Sequence, residues 1–184
     1  RIARLPGGRG FPRRFGYWPA VLGLFAFVWL ELASPDPGSL SAIRLWLLVY
    51  IVVTLTGAVV CGDRWFGRAD PFEVYSVVAS RFSLFRRNPN NGLIEIGNPF
   101  DHLLSLPIRP GTVTLLAVLL GSTAFDSFSA SPTWRNFADH YAHTAAANSL
   151  MRTAGLLVFV TIVAVSFSLA ARATGGVDTA TRRT

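Results

Sequence analysis

The sequence predicts an all-α membrane protein: a polytopic helix bundle with four transmembrane helices and additional amphipathic helices at the membrane interface. Of its 184 residues, 51% are hydrophobic and only 15% are charged, which is more apolar than an ordinary soluble domain. The apolar residues also fill whole stretches of roughly 18 to 20 residues, the length that a helix needs to cross about 30 Å of hydrocarbon. Four such stretches are present.

The first two stretches form a predicted transmembrane hairpin over residues 17–62, after a basic leader at 1–16. The first span covers about 17–33, with Tyr17 and Trp18 at its start as interfacial anchors. Pro35 to Gly38 then make a tight turn. The second span, about 42–62, must therefore pack antiparallel to the first. It carries small residues that would allow another helix to approach: Thr54, Gly57, Ala58 and Cys61.

The region 63–111 is predicted to be a polar loop that contains an amphipathic helix. Asp70 is its expected N-cap, with Pro71 at the first helical position and Glu73 completing a capping box. An apolar stripe at helical spacing indicates a helix lying in the membrane surface; it consists of Val74, Val78, Phe82 and Phe85. Residues 93–96 are predicted to form a short strand.

The remaining spans lie within 112–171 and are joined by a second amphipathic helix. The third span covers about 112–128 and the fourth about 150–171, before a polar tail at 172–184. Ser131 and Pro132 predict the start of the joining helix at 132–147. Its apolar stripe, Trp134, Phe137, Ala138 and Tyr141, is typical of a helix resting on the membrane surface.

The arginines predict which side of the membrane each loop occupies. All 17 basic residues are arginine, and they give a net charge of +7. Five lie in the leader, six in the 63–111 loop and three in the tail, whereas the opposite side holds only Arg44, Arg135 and Arg152. Because cytoplasmic loops carry the positive excess, both termini and the loop are expected in the cytoplasm of a multi-pass protein of the cell membrane. Arginines that flank apolar stretches argue against nucleic-acid binding and for a lipid bilayer as the partner.

Three ionisable residues at membrane depth are the first candidates for function: Glu31, Arg44 and Asp126. A charge buried in hydrocarbon costs several kcal/mol unless it is paired or faces water. An ion pair between Glu31 and Arg44 across the first turn is the simplest structural explanation. The functional alternative is that Glu31 or Asp126 lines an outward-facing cavity as a proton carrier or general base.

The outer helix contains the only cluster of metal-ligand residue types, Asp139, His140 and His143. In a continuous helix these side chains share one side, opposite the aromatic stripe. They could hold a divalent metal with a position left open for water, with Asp126 contributing. The competing interpretation is a plain solvated helix face. Cys61, the one cysteine, has no histidine near it in sequence, and no nucleophile elbow or phosphate-binding glycine loop is present.

Several segments resemble an actinobacterial family of multi-spanning membrane proteins that carries the name fenitrothion hydrolase. The matching segments lie in the first span, the loop and the third span: 15–20, 24–32, 72–75, 98–99 and 119–128. The resemblance covers about 15–171 and includes Glu31 and Asp126. It implies that further spans precede this region, so the chain, which lacks an initiator methionine, is expected to be the C-terminal portion of a longer protein. It also implies hydrolysis of an organophosphate ester.

Two functional hypotheses follow. In the first, the chain is a helical-bundle subunit, or part of a larger membrane protein, that packs against other subunits or further helices. In the second, it is a membrane-embedded phosphotriester hydrolase with an outward-facing site around Asp126 and Glu31, which acts with or without a divalent metal.

Overall fold

The structure, a computed structural model, describes residues 15–62, 65–80, 83–87, 92–98 and 109–181. Within these residues the chain forms seven helices and one short β-hairpin. The helices are α1 (Trp18–Leu32), α2 (Leu40–Cys61), α3 (Phe66–Ala69), α4 (Pro71–Ser80), α5 (Thr112–Ser129), α6 (Pro132–Tyr141) and α7 (Ala145–Thr181), and the strands are β1 (Phe85–Arg87) and β2 (Ile94–Ile96). Most of the predicted leader, Phe82 of the predicted stripe and the last three residues lie outside the described part.

Three of the helices in the described part are long and apolar enough to cross a membrane: α2, α5 and the segment Ala145–Ala173 of α7. They correspond to the second, third and fourth predicted spans. The helix at the first predicted span, α1, is also apolar but has only 15 residues, about 22 Å at 1.5 Å per residue. Helix α7 continues to Thr181, through the described part of the polar tail predicted at 172–184.

Helix α1 lies at the centre of the fold. It contacts α2, α3, α4, α5 and α7, and its buried residues are Ala20, Val21, Leu24 and Val28. Leu115 and Val118 of α5 and Val74 of α4 belong to the same buried cluster. A helix that is apolar on all sides is suited to such enclosure. By contrast, α2 buries only Gly57 and Ala58.

Helices α1 and α5 run parallel, and α7 runs antiparallel to both. The backbone N–H of Tyr17 donates to the carbonyl of Pro110 at 2.8 Å, so α1 and α5 begin at one level. In the other pair, Gly121 of α5 lies against the backbone of Val160; a Cβ at this glycine would come within 2.7 Å of the Val160 Cα. Gly121, which has no side chain, thus lets α7 approach α5 closely.

After α2 the chain turns back along the helix it has just left. We call residues 65–80 the fold-back segment. Trp65 packs on Gly57, Asp70 meets Tyr50, and the ring of Phe72 lies 6.2 Å from that of Trp46. Later residues of this segment meet earlier residues of α2. The segment therefore runs antiparallel to α2 and reaches the middle of that helix at Asp70 and Phe72.

Helix α4 lies within the fold-back segment and begins at Pro71 after Asp70, as predicted. Val74 and Val78 of the predicted apolar stripe are buried, and α4 packs on α1. The predicted apolar stripe also ends early. Helix α4 stops at Ser80, and Phe85 lies in β1, where it pairs antiparallel with Ile96 of β2. The strand predicted at 93–96 is present at Ile94–Ile96.

Helix α6 confirms the predicted N-terminus but not the predicted length. The Ser131 hydroxyl accepts a hydrogen bond from the Trp134 N–H at 3.3 Å, as expected of an N-cap. The helix ends at Tyr141 instead of 147, and α7 begins at Ala145. Residues 142–144 are a break between them, where the Thr144 hydroxyl accepts from the Ala147 N–H and begins the new helix. Trp134 is buried, whereas Phe137 and Tyr141 remain exposed.

Candidate functional site

The two carboxylates singled out in the sequence lie at one pocket. Glu31 near the end of α1 and Asp126 near the end of α5 border a space of about 170 Å³, together with Val28, Leu32, Ser122 and Thr123. The parallel course of α1 and α5 produces this meeting, because helices that begin at one level and have similar lengths also end at one level. We call this space the carboxylate pocket.

The hydroxyl groups in the carboxylate pocket are poor nucleophiles as they stand. Ser122 and Thr123 both donate their hydroxyl protons to the carbonyl of Leu119, each at 2.9 Å. A nucleophilic hydroxyl needs a base within hydrogen-bond reach to take its proton, and here the proton points to the helix backbone. The pocket lining therefore offers oxygen acceptors, and its chemistry rests on Glu31 and Asp126, both of which are exposed.

The structure does not contain the ion pair expected between Glu31 and Arg44. Both residues are described, and no hydrogen bond or salt bridge joins them. A different arginine lies at the end of α1: Arg152 of α7 donates to the carbonyl of Leu32 at 3.3 Å and to the side chain of Asn148 at 3.3 Å. A cation at a helix C-terminus interacts favourably with the helix dipole and satisfies a carbonyl that has no partner in the helix.

Two further side chains of α7 hold the same end of α1. The buried Ser149 hydroxyl donates to the Ala33 carbonyl at 2.6 Å, and the indole N–H of Trp29 donates to the Thr153 hydroxyl at 2.9 Å. We call Ser149, Arg152 and Thr153 the α1 clasp. A partial signal for it is visible in the sequence, since Ser149, Arg152 and Thr153 recur at helical spacing at the start of an otherwise apolar stretch.

The histidine cluster does not have the geometry that a metal site needs. Asp139 and His140 lie on α6, but His143 follows the end of the helix, so the helical spacing on which the interpretation depended is not present. All three side chains are exposed, and the His140 ring packs edge-on against Tyr141 at 4.6 Å. Across the described residues, no three His, Cys, Asp or Glu side chains are grouped closely enough to hold a metal ion. Asp126 faces the carboxylate pocket with Glu31 instead.

A second polar arrangement lies at the middle of α2, where the fold-back segment turns. The Tyr50 hydroxyl donates to Asp70 Oδ1 at 2.9 Å. The same oxygen accepts the backbone N–H of Phe72 at 2.9 Å and that of Glu73 at 3.4 Å. One carboxylate oxygen thus starts α4 and joins it to α2.

Four aromatic rings pack beside this bond. Trp46 stacks on Tyr50 at 5.2 Å, and Phe27 of α1 contacts Trp46 at 4.8 Å. Phe72 meets Tyr50 edge-on at 5.5 Å, an arrangement in which the ring quadrupoles attract. We call Phe27, Trp46, Tyr50 and Phe72 the aromatic cluster, and it joins α1, α2 and α4.

A larger cavity lies between α1 and α2 below the aromatic cluster. It has a volume of about 400 Å³ and is lined by residues of α1, α2 and the fold-back segment, nearly all through apolar atoms. Sequence reasoning did not anticipate it, because the 63–111 region was interpreted as a loop outside the membrane. A signal was available, since most residues between Trp65 and Ala79 are apolar.

The Tyr50–Asp70 hydrogen bond should stabilise the fold-back segment measurably. Tyr50→Phe is expected to lower the free energy of unfolding by about 0.6 to 1.7 kcal/mol, as for hydrogen bonds between membrane helices. Asp70→Ala should cost more, because it also removes the N-cap of α4. Steric-trapping measurements in bicelles on the double-mutant cycle give the coupling. Tyr75→Phe is the matched control, since the Tyr75 hydroxyl on α4 is exposed and has no hydrogen bond in the described part. Equal losses for Tyr50→Phe and Tyr75→Phe would contradict the expectation.

Comparison of the chain with known protein families, with curated proteins and with solved structures found no match.

Proposed function

We propose that the chain is an integral membrane protein that works as a helical-bundle unit of a larger membrane assembly, either as a subunit or as part of a longer chain. The observation that carries the proposal is the exposure of its apolar helices. In α2 and in α7, only 6% of an 18-residue apolar stretch is buried, compared with 39% in α5. So much apolar surface is unfavourable in water and must be covered by lipid or by other helices.

Four crossings fit the arrangement of the helices better than three. Although α1 is short, it begins beside Pro110 at the start of α5 and ends beside Asp126. It therefore traverses nearly the same thickness as α5, which is a candidate span. A short helix is tolerated at this depth when neighbouring helices enclose it and satisfy its ends, and the α1 clasp supplies such partners.

An even number of crossings places both termini on one side, and the arginines favour the cytoplasm for that side. Arg152 of α7 lies at the opposite end, where it donates to the Leu32 carbonyl beside the turn between α1 and α2, and Arg135 lies on α6, which follows that end of α5. The exposed aromatic residues of α6, Phe137 and Tyr141, would then meet the outer head groups, where aromatic rings are favoured.

The surfaces for partners are the exposed faces of α2 and α7 and not the small-residue positions. Gly57 is covered by Trp65, and Gly121 by α7. The exposed faces are instead built from large aliphatic side chains such as Leu48 and Leu55 of α2 and Leu157 and Ile162 of α7. Contacts with neighbouring helices would therefore rest on van der Waals packing of these side chains.

The assembly can be tested by extraction from the native membrane. A single chain has a mass of 20.0 kDa. In a mild detergent, native mass spectrometry should find the chain in a particle of larger protein mass that survives dilution. A particle whose protein mass is that of a single copy of this chain, with no other protein, would contradict the proposal if it is found at every detergent concentration that keeps the chain soluble.

The orientation can be tested with cysteine labelling, because Cys61 is the one native cysteine. In a Cys61→Ser background, a cysteine at Asp36 or Thr133 should react with a membrane-impermeant maleimide on intact cells. A cysteine at Leu93 should react only after permeabilisation, and its exposed native side chain makes it a fair comparison. Labelling of Leu93→Cys from outside would reverse the proposed topology.

A second function, hydrolysis of an organophosphate ester, is favoured by one observation: Glu31 and Asp126 share the carboxylate pocket. One carboxylate would take a proton from a water that attacks phosphorus. As the bond from phosphorus to the leaving oxygen breaks, the second carboxyl, in its protonated form, would donate a proton to that oxygen. The histidines do not fit a metal site, so no step passes through a metal.

This second function has a direct test in proteoliposomes with a neutral phosphotriester. If the two carboxyl groups carry the reaction, Glu31→Gln and Asp126→Asn should each lower the rate by about 10² to 10⁴, the usual contribution of a general acid or base. Asp36→Asn, in the exposed turn, is the control and should leave the rate unchanged. Hydrolysis that survives both substitutions, or that the native chain does not perform, would exclude the mechanism.

A further inference from the structure

The cavity between α1 and α2 is enclosed on three sides by features already described. At one end the aromatic cluster fills the space between α1, α2 and α4. At the other end Trp65 is seated on Gly57. At the back, Pro71 lies against Gly23, where a Cβ would meet the proline Cγ at 3.4 Å. The α2 residues that line the cavity run from Trp46 to Thr54, a rise of about 12 Å at 1.5 Å per residue.

The fourth side of the cavity is open. Leu22 of α1 and Val49 and Val53 of α2 border the opening, and their exposed fractions are 67%, 50% and 52%. These side chains continue directly into the exposed apolar face of α2. A molecule that lies against this face can therefore enter the cavity sideways without crossing a polar surface.

We propose that this cavity binds one acyl chain of a membrane lipid, which enters laterally between α1 and α2. The inference rests on the proposed membrane location, because only there does the opening face hydrocarbon. Its chemistry suits a hydrocarbon chain, since the lining is apolar and the Tyr50 hydroxyl is already engaged with Asp70.

The occupied cavity would complete the packing of α2. That helix borders the cavity along Trp46 to Thr54, and its contacts with the rest of the chain include the aromatic cluster, the Tyr50–Asp70 hydrogen bond and Trp65. Removing a chain that fills about 400 Å³ leaves the lining without contacts on one side, and an apolar cavity of this kind is destabilising. The bound lipid is therefore a structural ligand that holds α2 at its distance from α1.

Tryptophan quenching by brominated lipids tests the proposal. In a variant with Trp18, Trp29 and Trp134 changed to phenylalanine, Trp46 and Trp65 at the cavity are the remaining fluorophores. In bilayers of phospholipid with brominated acyl chains, we expect their emission to fall at least twofold relative to unbrominated lipid. Val53→Phe, which narrows the opening, should restore at least half of that loss.

The matched control is Val52→Phe. Val52 is exposed to a similar extent, 54%, but does not line the cavity, so quenching should stay as in the parent variant. Equal quenching in Val53→Phe and Val52→Phe, or no quenching of Trp46 and Trp65, would overturn the lipid site. A tryptophan at Ile162 on the exposed face of α7, in a background without the other tryptophans, separates the two proposals. If it too is unquenched, the membrane location itself is wrong.

Native mass spectrometry of the chain with all five tryptophans gives a second measurement that does not depend on the phenylalanine background. During stepwise delipidation we expect one phospholipid to remain on the protein after the others are lost. Val53→Phe should lose this lipid at a lower detergent concentration than Val52→Phe does. Simultaneous loss from both variants would contradict the assignment.

Discussion

A polypeptide inside hydrocarbon must satisfy its backbone N–H and C=O groups within the protein, since no water is there to do so. Two places in this fold interrupt or end a helix beside apolar helices, and each carries its own polar partner. At the turn of the fold-back segment, Asp70 accepts the N–H groups of Phe72 and Glu73, and Pro71 has no N–H to satisfy. At the end of α1, Ser149 and Arg152 of α7 donate to the carbonyls of Ala33 and Leu32. The central position of α1 and the cavity beside it both depend on these contacts.

These contacts also explain why the charged residues that were predicted to form an ion pair or to act in catalysis have other neighbours than expected. Sequence proximity pairs Glu31 with Arg44, but α7 brings Arg152 to the end of α1 instead. Glu31 is left facing Asp126 across the carboxylate pocket. The three-dimensional arrangement thus separates the polar residues of this end of the bundle into a structural group, the α1 clasp, and an exposed pair of carboxylates.

The helices of the bundle could be predicted from the sequence because hydrophobic length is a local property. The capping signals of α4 and α6 were also local, and both helices begin where Asp70 with Pro71 and Ser131 with Pro132 predict. Which helix is central could not be predicted, because α1 and α2 are similarly apolar and only tertiary packing buries one and exposes the other. The fold-back segment was missed for a related reason: Arg64, Arg68 and Asp70 make this region resemble a loop. Ala69, Val74 and Val78 are nevertheless buried. Glu31 and Asp126 were predicted as two separate candidates. Their shared pocket depends on the parallel packing of α1 and α5, which the sequence of neither helix reveals.

The α1 clasp has a consequence for how the protein is made. Its hydrogen bonds join residues 116 to 124 positions apart in the chain, so α1 leaves the ribosome long before Ser149, Arg152 and Thr153 exist. During that interval the carbonyls at its end have no partners from α7. The end of α1 can therefore gain these hydrogen bonds only after the last helix has been synthesised. The helix at the centre of the fold depends for its own end on residues from the C-terminal part of the chain.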